Sequence, residues 1–340
     1  PGAWSAGNRT FNSLPRATHR SLPERGSTVP NHDDRHAAFL DRVQRGEKIE
    51  ATDWMPDEYR IAMVKFLQMH ALSELMGALP EKEWVPRAPT LARKLSLMAK
   101  VQDEVGHAQL ILRVAEDLAA PLGKGREELV AELFTGQAKF HNVFHMPAPT
   151  WADAGIIGWL VDGAAVVSQA ALLTSSYAPY ARVLQRVCAE EGFHIQHGES
   201  ICLALAEGTP AQRRMLQDAL NRWWEALLLF FGPPESNSPS AAVLFKYRFR
   251  TKTNEELRQK FLTKYVPRIW ALGLTIPDPQ LRFDEEAGRW VYTPPDWSKL
   301  KAIARNQGPL SQYRLGLRRL SYEQGHWVRE ALLAPAAQAV

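Results

Sequence analysis

The sequence predicts an all-α fold: a bundle of long helices followed by a small, irregular C-terminal extension that contains a short β-hairpin. Between residues 55 and 231, long segments carry apolar side chains at helical spacing and are separated by proline- and glycine-rich breaks. Only one short stretch, near residues 281–292, alternates as strands do. With 340 residues, 45% of them hydrophobic, the chain can bury one large core or two ordinary ones.

Residues 1–48 are rich in Pro, Ser and Arg and show no sustained apolar period, so they are predicted to form a flexible arm. Their Arg and Ser content is also typical of a transit peptide, but no amphipathic helix is evident. A disordered tail is therefore the favoured interpretation.

Helical signals begin at Pro56 and define a bundle over residues 49–232. Pro80 is expected to end the first helix, and Thr90 to cap the second. The stretch from Ala154 to Leu173 nearly reaches the length of a membrane span, but Asp162 at its middle would be costly in lipid, so a buried core helix is predicted. The five predicted helices cover residues 56–80, 90–119, 151–176, 179–208 and 210–231.

Residues 233–340 are assigned to the extension because the composition changes after residue 231. Gly232-Pro-Pro and Asn237-Ser-Pro interrupt the helical pattern, and a basic segment follows at 246–252. A helix near 255–272 precedes the hairpin, whose strands are predicted at 281–283 and 290–292. Further helices are expected to close the chain.

Composition excludes several classes of function. The formal net charge is only +4, so no nucleic-acid partner is predicted. Cys188 and Cys202, the two cysteines, cannot supply four thiolates to an iron–sulfur cluster, and on one helix they would lie about 21 Å apart, too far for a disulfide. A cytoplasmic location is therefore expected. Since Gly123 and Gly125 do not make a phosphate-binding loop, any redox chemistry needs electrons from another protein.

Two similar blocks of residues carry the chemistry. Glu104 and His107 form Glu-x-x-His on one helix face, and Glu191 and His194 repeat it. A carboxylate precedes each pair by 30 and 29 residues, and these are Glu74 and Asp162. A lone Glu-x-x-His is usually a surface pair, but the repeated spacing predicts that four helices bring these side chains together.

Burial supports this interpretation, because an unpaired Asp162 among apolar neighbours would cost several kcal/mol. Four carboxylates and two imidazoles from four facing helices are the ligand set of ferritin-like di-iron or di-manganese sites. Asp103 and Glu190 are rival carboxylates, but Glu104 and Glu191 keep the i, i+3 spacing and are preferred.

Three further side chains lie one turn from these proposed ligands. His70 and His197 could hydrogen-bond to ligands, although packing roles are favoured. Lys100 precedes Glu104 by one turn, so its ammonium could offset the charge of the carboxylates when metals are absent or reduced. An exposed i, i+4 ion pair is the alternative for Lys100.

The chain resembles the catalytic di-iron subunits of bacterial multicomponent phenylacetyl-CoA 1,2-epoxidases. The resemblance covers nearly everything after residue 48. The matching segments are 54–60 (WMPDEYR), 88–90 (APT), 99–107 (AKVQDEVGH), 158–165 (GWLVDGAA), 190–194 (EEGFH), 231–234 (FGPP), 277–279 (PDP) and 327–330 (WVRE).

This resemblance implies that two iron ions, with manganese as an alternative, are bound where Asp162 replaces the Glu of many relatives. It implies that O2 and electrons from NADPH, delivered by a flavin and iron–sulfur reductase, epoxidise the ring of phenylacetyl-CoA in aerobic phenylacetate catabolism. The other implied partners are a small bridging subunit and a paralogous, non-catalytic bundle subunit. The implied metal ligands are Glu74, Glu104, His107, Asp162, Glu191 and His194.

An aryl-acyl-CoA substrate brings phosphate charges, so its site should contain cations beside a groove. Each candidate could equally belong to a solvated basic face. The candidates are Lys65, Lys139, His141, Asn142, Ser238 and Lys246, with Arg248 and Arg250 in the same basic segment as Lys246.

Two alternative functions remain open at this point. The small subunit of ribonucleotide reductase has similar blocks, but it typically carries its radical tyrosine four residues after the first histidine, where this chain has Ile111. A ferritin-like storage protein or a non-catalytic scaffold subunit is the other alternative. Storage chains are as a rule much shorter, and a scaffold would be expected to have lost ligands that are intact here.

Overall fold

The computed structural model describes residues 32–237 and 239–333, and over these residues the fold is almost entirely helical. The first seven helices are α1 (His32–Gln44), α2 (Asp57–Lys82), α3 (Leu91–Ala119), α4 (Arg126–Phe134), α5 (Trp151–Ile156), α6 (Asp162–Leu172) and α7 (Ala178–Ala206). The remaining elements are α8 (Pro210–Phe230), α9 (Pro239–Lys246), α10 (Asn254–Ala271), strands β1 (Arg282–Asp284) and β2 (Arg289–Val291), α11 (Trp297–Ile303), α12 (Ser311–Gln324) and α13 (His326–Leu333).

Four helical segments form the centre of the molecule. α2 packs against α3, α5 and α6 pack against α7, and α3 packs against α7, while α8 covers α5 and α7. This arrangement confirms the predicted all-α, ferritin-like bundle with its small two-stranded element.

The buried face of α3 explains how the sequence forms a bundle with a polar centre. Thr90 caps the helix by accepting a hydrogen bond from Arg93 N at 3.2 Å. Leu97 and Ile111 are apolar members of the buried stripe. Between them, at the same 3–4 residue spacing, the stripe consists of Lys100, Glu104 and His107. The apolar pattern is therefore interrupted by charged groups at mid-height, and α7 repeats this with Glu191 and His194.

A wide π-helical turn, Ile157–Val161, joins α5 to α6 and ends directly before Asp162. The sequence predicted one regular helix through this stretch, ending at 176, whereas the helix ends at Leu172. By length and composition Trp151–Leu172 could cross a membrane, but most of its apolar part is buried inside the bundle, as predicted for a core helix. Single π turns inside helices are frequent at functional sites.

Part of the predicted N-terminal arm is folded. Residues 32–44 form α1, and Phe39 and Val43 are buried in a hydrophobic cluster that includes Tyr59 of α2, so the prediction of a flexible arm was wrong for this part. The apolar residues of α1 were too few to give a recognisable period. Residues 1–31 lie outside the described part of the chain.

The first bundle helix also ends later than predicted. Pro80 is tolerated inside α2, which continues to Lys82 and so includes Glu81 as a helical residue. α4 was not predicted at all. α9 occupies the end of the proline-rich break, where the sequence indicated no helix.

The C-terminal extension shares the core of the bundle. The predicted hairpin is confirmed within one residue at each strand, with Phe283 paired to Trp290. α10 packs against α6, and its Phe261 and Tyr265 belong to the same buried cluster as Trp159. Residues between Leu257 and Trp290 therefore contribute to the same core as α5–α8.

Candidate metal centre

Four helices each contribute at least one side chain to a single buried cluster. We call the six side chains the ligand cluster, and each of them is 6% exposed or less. All six predicted ligands are brought together, along with Lys100. The ligand cluster consists of Glu74 from α2, Glu104 and His107 from α3, Asp162 from the start of α6, and Glu191 and His194 from α7.

The ligand cluster divides into two adjoining groups. Glu74, Glu104, His107 and Glu191 offer donor atoms within 4.8 Å of one another, and Glu104, Asp162 and His194 form the second group. Glu104 belongs to both groups. Glu191 also faces both histidines, since its two oxygens lie 3.5 Å from His107 Nδ1 and 3.1 Å from His194 Nδ1. Two carboxylates therefore lie where they could bridge two metal ions.

Each histidine is oriented by a carboxylate from the opposite helix. Asp103 Oδ2 lies 3.2 Å from His194 Nε2, and Glu190 Oε2 lies 3.0 Å from His107 Nε2. Such partners fix the ring orientation and raise the basicity of a metal-binding imidazole. In the sequence, Asp103 and Glu190 were considered as rival metal ligands. The sequence did not indicate that they orient histidines, because each of these contacts joins two different helices.

The donor set fits a pair of metal ions. His107 Nδ1 is buried, faces Glu74 and Glu191, and has no hydrogen-bond partner within the described part of the chain. A buried nitrogen without a partner is costly unless a ligand satisfies it. Carboxylate oxygens and imidazole nitrogens are donors that iron and manganese both accept.

Lys100 lies beside the ligand cluster and is 1% exposed. Its Nζ lies 2.9 Å from Glu104 Oε1, 2.8 Å from Asp162 Oδ2 and 2.5 Å from Glu81 Oε1. The alternative prediction for Lys100, an exposed i, i+4 ion pair, is therefore wrong, because its pair with Glu104 is buried. Glu81 was missed because Pro80 was expected to end the helix before it.

The electrostatics of the ligand cluster are those of a site that holds protons when no metal is bound. Burial and the nearby carboxylates raise the pKa of Glu74 well above its usual range. Burial also raises the pKa of Asp162, although Lys100 opposes this. Burial disfavours protonated His194, but the Glu191 and Glu104 carboxylates prevail and raise the pKa of His194 to about 9.

One of the two neighbouring histidines contacts a ligand. His70 Nε2 lies 2.8 Å from Glu74 Oε1, and His70 Nδ1 lies 2.7 Å from the hydroxyl of Tyr180. His70 is thus an orienting partner of Glu74. His197 instead stacks near Phe193 and approaches Arg93 at 3.4 Å, in agreement with a packing role.

An apolar cavity of about 380 Å³ opens above the ligand cluster. Glu74, Glu104, Asp162 and Glu191 are part of its wall, and the rest of the wall is mainly aromatic and aliphatic. The apolar wall includes Phe66, Phe140, Phe144, Leu172, Phe230, Phe231, Leu244, Leu257, Leu300 and Ile303.

The sequence profile of the family described as "Phenylacetic acid catabolic protein" matches residues 29–327. The chain belongs to this family. It is also 45% identical over 298 residues to the A subunit of 1,2-phenylacetyl-CoA epoxidase from Escherichia coli (strain K12), a match that covers 88% of this chain and 95% of that protein.

Membership of the phenylacetic acid catabolic protein family agrees with the resemblance seen in the sequence and disfavours both alternatives. Ile111 is buried in the core, one turn after His107, so no phenol group is available at that position. All six predicted ligands converge, which a scaffold subunit would not require.

The predicted substrate contacts divide into two sets. Lys139, His141 and Asn142 line the cavity, and so does Arg250. Lys65 is exposed on α2, and Lys246 pairs with Glu58 outside the cavity, so neither lines it, and the same holds for Arg248. Ser238 lies outside the described residues.

Metal binding by this member of the family is expected to strengthen as the pH rises. A metal ion must displace the proton of His194, whose pKa is about 9, and protons held by Glu74 and Asp162. One displaced proton corresponds to roughly tenfold in affinity per pH unit below that pKa. Anaerobic Fe²⁺ titrations at pH 6.5 and 7.5, with proton release followed by a pH indicator, measure this. Equal affinities and no released protons would contradict it.

Proposed function

We propose that this chain is the catalytic subunit of an oxygenase that epoxidises the aromatic ring of phenylacetyl-CoA. One observation carries the proposal: the four carboxylates of the ligand cluster line an apolar cavity whose wall is rich in aromatic side chains. The relative from Escherichia coli, which bears the name of this activity, and the family match support it.

The ligand cluster would hold two iron ions, with manganese as the alternative. When bound, the metal pair supplies the activation of O2 that no amino-acid side chain provides. Glu104 and Glu191 face both groups and so can hold two ions close together. Asp103 and Glu190 keep the imidazoles oriented, and Glu81 balances Lys100 beside them.

The side chains of the cavity wall would position the aromatic ring of the substrate. Phe66, Phe230 and Leu257 provide apolar surfaces for an aromatic ring, and the buried wall keeps bulk water away from the carboxylates. Lys139 and Arg250 are the cations of the wall. The thioester chain would leave the cavity past Lys139, whose exposed ammonium can meet its phosphates.

The electrons must come from other proteins. In the described residues Cys188 and Cys202 are unpaired, and neither is part of a cysteine group that could hold a cluster. We assign the reduction to a flavin and iron–sulfur reductase using NADPH, in a cytoplasmic complex that also contains a small bridging subunit and a paralogous bundle subunit. Exposed Leu91, Leu95 and Met98 on α3 favour coverage of this helix by a protein partner.

The proposal is tested by NADPH-dependent O2 uptake with phenylacetyl-CoA and benzoyl-CoA, after addition of the reductase and partner subunits. We expect one epoxide formed and one O2 consumed for each NADPH oxidised with phenylacetyl-CoA, and about two metal ions per chain. A tyrosyl radical signal after iron and O2 loading would instead favour the ribonucleotide reductase alternative. A chain without bound metal would favour a scaffold.

Charge reversal at Lys139 tests the path of the thioester. Lys139 is exposed and donates to Ala304 O at 2.6 Å, so Lys139→Glu should alter charge at the cavity without changing the core. We expect the KM for phenylacetyl-CoA to rise roughly fivefold at an unchanged kcat, the size of about 1 kcal/mol for an exposed pair. Lys65→Glu is the matched control and should leave KM unchanged. A rise in KM at Lys65 alone would contradict the assignment.

A further inference from the structure

Two glycines bring the backbones of the π-helical turn and α7 into direct contact. A Cβ placed on Gly198 would lie 2.3 Å from Gly158 C and 2.3 Å from Trp159 N. A Cβ on Gly158 would meet Gly198 Cα at 3.0 Å and His194 O at 3.2 Å. Carbon atoms in ordinary contact lie about 3.5–4.0 Å apart, so no side chain fits at Gly198 unless the two segments separate.

This contact lies one helical turn from ligands on both sides. Gly158 precedes Asp162 by four residues, and Gly198 follows His194 by four. The separation of the two backbones at the glycines therefore governs the distance from Asp162 to the ligands on α7.

The segment that carries Asp162 also packs closely against α10. A Cβ on Gly163 would lie 2.3 Å from the hydroxyl oxygen of Tyr265, which belongs to α10. Two residues before the π-helical turn, a Cβ on Gly155 would lie 2.9 Å from Ile201 of α7. Glycines thus allow close approach to α7 at positions 155 and 158, and Tyr265 limits movement of the segment toward α10.

One carboxylate of the ligand cluster is shorter than the others. The three other carboxylates of the ligand cluster are glutamates, whereas α6 offers an aspartate, which is shorter by one methylene. We propose that the Gly158–Gly198 contact is a positioning device that holds Asp162 close enough to α7 for this shorter carboxylate to complete the second group of ligands. This inference rests on the metal centre of the proposed function.

The test uses Gly198→Ala in the full chain, with anaerobic titration of Fe²⁺ and of Co²⁺, whose visible absorption reports its coordination. We expect one of two metal ions to bind 10–100-fold more weakly, the range found for residues that orient ligands, with an altered Co²⁺ spectrum. Gly158→Ala should have a smaller effect, because its Cβ would lie at least 3.0 Å from the nearest atoms, compared with 2.3 Å for a Cβ on Gly198. Gly192→Ala is the matched control: Gly192 lies on α7 between Glu191 and His194, and its Cβ would meet nothing within 4 Å.

A rescue separates positioning from general damage. Asp162→Glu alone should weaken binding of the same metal ion, because the glutamate side chain is too long for the short distance between its backbone and the ligands on α7. In the Gly198→Ala background the longer carboxylate should restore at least tenfold of the lost affinity, a coupling that independent effects would not produce. If Gly198→Ala does not fold, the same cycle is run with Gly158→Ala.

The outcomes distinguish the two proposals. Absence of metal binding in both the unaltered chain and Gly192→Ala would overturn the proposed function. Two normally bound ions in Gly198→Ala, or equal losses in the single and double variants, would overturn the positioning role while leaving the metal centre intact.

Discussion

Replacing Glu104 with alanine is expected to weaken both metal positions and to abolish epoxide formation. Glu104 belongs to both groups of potential ligands, so its removal takes a donor from each. Partners that only orient a ligand contribute about 10–100-fold to metal affinity, and loss of a shared ligand should exceed this range. Metal content of the purified variant and product formation with phenylacetyl-CoA are the measurements.

The fold should survive this change. Lys100 keeps Asp162 and Glu81 as partners when Glu104 is removed. Asp117→Ala is the control on the same helix, because Asp117 is exposed and its ion pair with Arg113 is long, at 3.6 Å. Two bound metal ions and normal turnover in Glu104→Ala would show that the centre lies elsewhere.

Lys100→Met is expected to have the second-largest effect, mainly on the metal-free protein. Asp162 and the other nearby carboxylates raise the pKa of Lys100 despite its burial, so it is charged at all ordinary pH values. Breaking a buried ion pair costs about 3–5 kcal/mol, because the remaining charges are left uncompensated. The Tm of the metal-free variant should therefore fall by several degrees, and added metal should recover much of the loss.

Two further variants make this prediction specific. Lys82→Met removes an exposed lysine at the end of α2 and should leave the Tm unchanged. Adding Glu81→Gln to Lys100→Met removes one of the stranded carboxylates, so part of the lost stability should return. Equal melting temperatures for Lys100→Met and the unaltered metal-free chain would exclude a charge-balancing role for Lys100.

The sequence was most informative where candidate ligands recur at a regular spacing along the chain. Glu104 with His107, and Glu191 with His194, could be found because one helix carries each pair, and the carboxylates 30 and 29 residues earlier revealed the remaining helices. The predicted convergence of these side chains agrees with the structure.

Features that depend on contacts between helices were not predictable in this way. Asp103 orients a histidine of α7, and no spacing within α3 indicates that. Glu81 was hidden by the expectation that Pro80 ends a helix, although a proline can remain inside one where packing compensates. Of the basic candidates for the substrate, only tertiary packing separates Lys139 at the cavity from Lys65 outside it.

The contacts of Asp103 with His194 and of Glu190 with His107 suggest a route for electron supply. Asp103 and Glu190 retain 32% and 30% of their side-chain surface in solvent, while the imidazoles they contact have almost none. The centre is thus buried but only one residue deep on the α3–α7 side. A redox protein bound over this face would lie two hydrogen-bonded side chains from either candidate metal position, so reduction would not require opening the apolar cavity, which neither Asp103 nor Glu190 lines.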